Sequence, residues 1–172
     1  MDADRRDSLR RDVRLPFRWQ ALDAPATSAE LAKLFDLPPV LQLSPRLAEL
    51  EAEYAEVAGN VSEPSVALAL DVMNARVSAI AEALFAQHPV PAEQDLEVAA
   101  GGIAFTAATP LSEASWVGVH MVLPTCYHVL CAASVRRCAR TEGGYRVATE
   151  LLPDALEPAA SKRLSRFVFD NN

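Results

Sequence analysis

Apolar residues change their spacing twice along this chain. From Val13 they alternate at Val13, Leu15, Phe17 and Trp19, the two-residue period of a half-buried strand. Pro16 lies within that stretch and implies an edge position or a bend. From Thr27 to His88 the period lengthens. Thr27 or Ser28 caps a short helix through Asp36, which Pro38-Pro39 ends. Ser44-Pro45 reads as an N-cap with proline at the first helical position, opening a second helix to about Ala58, and Gly59-Asn60 stops it. Ser62-Glu63-Pro64 starts a third, longer helix that Pro89 terminates.

From Gln94 to Leu152 strand patterning returns. GGIAFTAA, WVGVHMVL, YHVLCAASVRRCAR and YRVATELL are separated by turns at Pro110, Pro124 and Gly143-Gly144. The closing PAASKRLSRFVFDNN reads as an amphipathic helix with Leu164, Phe167 and Val168 on one face. The order is one strand, a helical insertion, four or five strands and a final helix. Consecutive strands joined by short turns favour a small barrel or sandwich. The chain therefore reads as mainly β with an α insertion, divided into a discontinuous β domain (1–24 and 93–172) and a helical insert (27–89).

The third helix carries the strongest pattern. Val66, Leu70, Met73, Val77, Ile80 and Leu84 are spaced 4, 3, 4, 3, 4, a 3.5-residue repeat. Leu47, Leu50, Tyr54 and Val57 repeat the idea in the second helix. Each seam side chain returns about 1.5–3 kcal/mol if fully buried, and nothing if it faces water. Two coverings are open: the second helix folds back and the hairpin packs on its own barrel, or seams from several subunits meet. With Leu70, Val77 and Leu84 at a and Val66, Met73 and Ile80 at d, leucine-like a and β-branched d positions favour four strands over two. Self-association through this seam, as a tetramer ahead of a dimer, is the expectation.

Charge divides the chain in the same way. Residues 1–20 carry six arginines against four aspartates, whereas 27–88 carry nine acidic and three basic groups. The formal net charge of −7 argues against general nucleic-acid binding. No apolar run is long enough to span a bilayer, and the charged start lacks a secretory pattern, so a cytoplasmic location is expected. Cys126, Cys131 and Cys138 lack paired CxxC spacing and read as reduced core or half-buried residues; His120 and His128 near Cys126 do not have metal-ligand spacing. No GxGxxG, P-loop, GxSxG or HExxH motif occurs, and three histidines without partners give no visible catalytic set. Glu49, Glu51, Glu53 and Glu56 read as a solvated helix face, Trp19 and Trp116 as core, and Gly101-Gly102 as a turn rather than a phosphate cradle. A metal, a cofactor and an enzymatic function are not expected.

Two segments together resemble the PilZ domain family, bacterial cyclic di-GMP receptors built on a six-stranded β-barrel. The family's Arg-x-x-x-Arg motif is matched by Arg6-Asp7-Ser8-Leu9-Arg10, just before the first strand. Its Asp/Asn-x-Ser-x-x-Gly motif falls on Glu97-Val98-Ala99-Ala100-Gly101-Gly102, before IAF. The order of a Val135-Arg136-Arg137 strand, GYRVATELL and LSRFVF is also similar. The resemblance covers residues 5–22 and 95–170; the insert is similar only to a helix-bearing, oligomeric PilZ-like group in xanthomonads. It implies a PilZ-like six-stranded antiparallel barrel with long heptad-patterned helices after the first strand and a C-terminal helix.

The resemblance also implies that Arg6 and Arg10 grip nucleotide phosphates, as guanidinium groups do bidentately. Ala99 lacks the motif's hydroxyl, and Glu97 replaces the shorter Asp or Asn. A lost charge-assisted contact costs about 1.5–3 kcal/mol, so the two departures imply weak or no cyclic di-GMP binding. The other reading of Arg6 and Arg10 is a solvated terminus paired with Asp2, Asp4, Asp7 and Asp12. The function implied is that of a non-enzymatic regulatory adaptor in cyclic di-GMP-linked signalling, in motility or virulence, acting through an unidentified protein partner. A genuine cyclic di-GMP receptor, an enzyme with fold-assembled residues and a purely structural oligomer are the rivals.

Overall fold

The computed structural model describes residues 10–152, 156 and 158–169. Six antiparallel strands close a barrel in the order β1-β2-β3-β6-β5-β4. They are β1 (Arg10–Leu22), β2 (Glu93–Ala99), β3 (Gly102–Ala107), β4 (Trp116–Leu123), β5 (Tyr127–Thr141) and β6 (Gly144–Leu151). Helices α1 (Ser28–Leu34), α2 (Ser44–Ala58) and α3 (Pro64–Phe85) lie between β1 and β2, and α4 (Pro158–Phe169) follows β6.

Barrel closure depends on β1 changing partners at its proline. Arg10 to Pro16 pair with β2, and Phe17 to Leu22 pair with β4. Pro16 therefore marks a change of partner in a continuous strand, and the edge-strand alternative fails because the ring has no edge. Inward side chains from all six strands, among them Phe17, Val98, Phe105, Val119, Met121, Val129 and Val147, form one buried core. Leu164 and Val168 of α4 join it, with Phe167 packed at its margin, which is the expected apolar face. Arg11 fixes that helix to β1 by donating to the Phe167 carbonyl at 3.0 Å and lying over the Phe167 ring.

The insert docks on the outside of β4 and β5. Leu31, Ala32, Phe35, Leu37, Leu41 and Phe85 form a second buried cluster, joined by Leu22, Leu47 and Leu130. Gly118 makes room for it, since a Cβ there would meet Leu31 Cδ2 at 2.6 Å. This cover explains why β4 is buried on both faces rather than on alternate residues. Thr27 caps α1 through a reciprocal box with Glu30. The helix ends at Leu34, two residues earlier than expected, because Asp36 turns left-handed at φ 49°.

Ser44 is not the cap of α2. Leu43 holds that place in helical conformation, because a 3-10 turn over Pro39–Leu43 runs directly into the helix. Proline opens α3, as expected, but the helix ends at Phe85 rather than at Pro89. Tyr54 Oη donates to Asp71 Oδ1 at 2.6 Å and ties α2 to α3. No helix among the described residues is long and apolar enough to cross a membrane.

Candidate functional site

Three regions carry functional chemistry: a groove on the barrel wall, a polar chain beneath the insert, and the outer face of α3.

The groove lies over β2, β3, β5 and β6, has a volume of about 730 Å³, and is where Arg10 and the Glu97–Gly102 segment meet. Ala99, Gly102, Ala104 and Ala148 give it small residues, so the arginines at its rim are the groups able to hold an anion. Register places them there. Arg10 is opposite Ala99, and Glu97 is opposite Ala104 on β3, itself opposite Ala148 on β6. Arg136 lines the same groove from a bulge in β5 between Val135 and Arg137.

Every one of these guanidinium groups has a carboxylate partner. Arg10 Nη1 donates to Glu97 Oε1 at 2.9 Å, and Arg146 Nη2 donates to Glu97 Oε2 at 3.0 Å. Arg136 is paired with Glu150. Glu97 is thus more than a longer version of a motif residue. Its two oxygens occupy two arginines, as the oxygens of a phosphate would. Among the described residues the partner of Arg10 is Glu97 on β2; Asp2, Asp4 and Asp7 lie outside them. Arg6 lies outside the described residues. The β2–β3 turn is Ala100-Gly101, whereas Gly102, expected in the turn, opens β3 and is required by packing, since a Cβ there would meet the Thr149 carbonyl oxygen at 2.4 Å.

Sequence alone does not single out Arg146. The one available signal is an arginine in the alternating GYRVATEL strand, and nothing local pairs it with a glutamate 49 positions earlier. The remaining β1 arginines serve the fold: Arg14 pairs with Glu93, and Arg18 enters the polar chain.

In that chain Arg18 Nε donates to His120 Nδ1 at 2.9 Å, and His120 Nε2 lies 2.9 Å from His128 Nδ1. An arginine can only donate, so neutral His120 accepts at Nδ1 and donates from Nε2. His128 then accepts at Nδ1 and carries its hydrogen on Nε2, which is buried without a hydrogen-bond partner among the described residues. Burial first, then His128 and Arg18, pushes the His120 pKa down to about 3. Burial, Arg18 and His88 bring His128 to about 4. Arg18 also donates from Nη2 to the Phe35 carbonyl at 2.7 Å and lies over the Phe35 ring. The chain therefore joins barrel to insert through neutral rings. Among the described residues no three His, Cys, Asp or Glu side chains come together as a metal group. Cys131 is buried in β5 with its pKa raised to about 12 by burial, Cys138 is half-buried there, and Cys126 sits in a 3-10 turn at φ 57° rather than in a strand.

The third region is α3. Val66, Met73, Val77, Ile80 and Leu84 are exposed on the single chain, Met73 at 64 % and Ile80 at 68 %, while Leu70 is half-buried. The hairpin packs on its barrel at its root, through Phe85 and Leu47, and that packing leaves the seam uncovered. Trp19 packs on Phe105 from a half-buried position, and Trp116 is also only half-buried.

No protein-family model matches the sequence, and no curated protein matches it. Among solved structures, a pathogenic protein from Xanthomonas campestris is similar, with a TM-score of 0.60 and 16 % sequence identity over 96 % of this chain and 88 % of that one. That protein is described as a tetrameric PilZ domain self-assembled via an unusual helical bundle. Closed six-stranded antiparallel barrel, helices after the first strand and closing helix together give this chain a PilZ-like fold.

Proposed function

We propose that this chain is a non-enzymatic regulatory adaptor that self-associates through α3, binds cyclic di-GMP weakly or not at all, and acts in cyclic di-GMP-linked signalling through a protein partner. The observation that carries the reading is the seam, a heptad of apolar side chains left in water by a chain whose barrel is otherwise tightly filled. A contiguous exposed apolar face of this kind marks an interaction surface. The self-assembly described for the Xanthomonas protein through a helical bundle supports the same use of the insert here. A tetramer is favoured, in the cytoplasm.

Glu97 supports the nucleotide part. Its carboxylate holds Arg10 and Arg146, and a phosphate has to displace it to reach either. The alternative, a receptor with a relaxed second motif, is favoured by one observation: the groove is open and Arg10 is largely exposed. Light scattering on the full chain, paired with calorimetry against cyclic di-GMP, tests both parts. An assembly of several chains with no heat of nucleotide binding is the expected result. A monomer removes the self-association reading, and a micromolar response abolished by Arg10→Ala replaces the adaptor with a receptor.

A further inference from the structure

The seam is not the whole of α3's uncovered surface. At about 100° of rotation per residue, Asn74, Ala81 and Phe85, turned toward the chain's own fold, centre about 80° to one side of the seam. Leu68, Val72 and Arg76 lie about 80–160° to its other side. Leu68 is 65 % exposed and Val72 is also exposed, with Ala69, Ala79 and Ala83 beside them. A helix apolar all round belongs inside a bundle, whereas a two-helix seam covers only one stripe. The flank therefore needs a cover that neither its own chain nor a seam partner supplies.

The matching surface runs along α2 from its N-cap, Leu43. Leu43, Leu50 and Val57 follow one another at intervals of seven and are all exposed, Val57 at 63 %. Leu50 borders a recess of about 120 Å³ together with Val77 of the seam and Asn74, Ala81 and Phe85 of α3's inner side. The stripe's edge is acidic on balance: Glu53 and Glu56 are exposed on α2, while Glu49 is held by Arg46 at 2.8 Å. On the α3 flank the one charged residue is Arg76, which makes no ion pair among the described residues.

We infer that the Leu68–Val72–Arg76 flank of α3 docks on the Leu43–Leu50–Val57 stripe of α2 in a second copy of this chain. The inference rests on the self-association reading and deepens it. Each hairpin then uses two different surfaces, one to give and one to receive. Such head-to-tail contacts close into a ring when the rotation between copies allows it. The neighbour's flank fills the recess beside Leu50 and places Arg76 against the acidic edge. A pair of copies joined by the seams alone leaves the flank in water, and docking it on the stripe covers it.

The test is a light-scattering series at one concentration, with circular dichroism confirming unchanged helix and strand content. Ile80→Glu is expected to give monomer. The Leu68→Glu/Val72→Glu double variant is expected to give a species smaller than wild type. Arg76→Glu alone is expected to weaken association about fivefold, the scale of one partly exposed ion pair, and Glu53→Arg added to it restores the loss. If the flank variant keeps the wild-type mass while Ile80→Glu is monomeric, this inference fails and the seam reading stands. If the wild-type chain is itself a monomer, both fail.

Discussion

The barrel and the α2–α3 hairpin both carry rows of apolar side chains and use them in opposite ways. In the barrel, Phe17, Phe105, Val119, Val129 and Val147 face one another and are sealed by Leu164 and Val168. In the hairpin, Met73, Val77 and Ile80 face outward, and only the root, at Leu47 and Phe85, is packed. A closed sheet brings its own second layer, since every inward residue meets the opposite wall. A helix 22 residues long has no such wall, and most of its large apolar side chains are exposed. The barrel buries its apolar layer within one chain, and the hairpin leaves most of its own exposed on that chain.

Breaking the comparison at the hairpin has the largest expected effect. In the proposed assembly, Met73→Glu with Ile80→Glu puts two unpaired carboxylates into the seam, each costing about 2–5 kcal/mol of association. Light scattering then shows monomer, while near-ultraviolet dichroism from the barrel aromatics persists. Phe105→Ala breaks the other side. It removes the ring packed on Phe17 at 5.2 Å and Trp19 at 5.4 Å and costs about 3–5 kcal/mol in denaturant melts. The two variants also differ in kind: the seam variant abolishes the concentration dependence of the melt, and the barrel variant leaves it in place.

The junction between the regions is probed by acid. His120 and His128 have folded pKa values of about 3 and about 4, below the ordinary histidine value of 6.5. The neutral rings therefore contribute stability that is present above pH 6.5 and is lost as pH falls toward those values. At pH 5 the loss is about 2 kcal/mol for each ring, from about 1.5 pH units at 1.36 kcal/mol each. Urea melts at pH 7.5 and pH 5 measure it. Arg18→Met, which removes the donor into His120 Nδ1, is expected to lessen the dependence only in part, because burial is its first cause. A stability unchanged between those pH values contradicts the buried relay.

The smallest effect is expected in the groove. Glu97→Gln removes a carboxylate held by two exposed or half-exposed arginines, worth about 0–1 kcal/mol of stability. Its consequence is on ligands: with Arg10 and Arg146 released, calorimetry is expected to read cyclic di-GMP binding tighter than wild type by about tenfold or more. No gain would mean that Glu97 is not what closes the site.

Local periodicity made much of the fold legible. WVGVHMVL is β4 at the residues expected, Val66 to Leu84 lie within one helix, α3, and the face of α4 is Leu164 and Val168. Caps were less legible. Ser44 lost its role to Leu43 because the turn preceding it is itself helical, a property of five residues together. The groove was half legible: Glu97 and Ala99 stood out as departures, but the partners of Glu97 did not.

By itself the sequence determined which stretches alternate by two, which repeat by 3.5, and where charge and proline interrupt them, because those properties reside in neighbouring residues. The tertiary structure decided which distant residues meet. Closure of the barrel set Arg18 opposite His120, and the β4–β5 register brought His128 to the same place. The β2–β3–β6 ladder carried Arg146 to Glu97, 49 residues away along the chain. Such pairings are fixed by strand order and register across the whole ring, and no local window contains them.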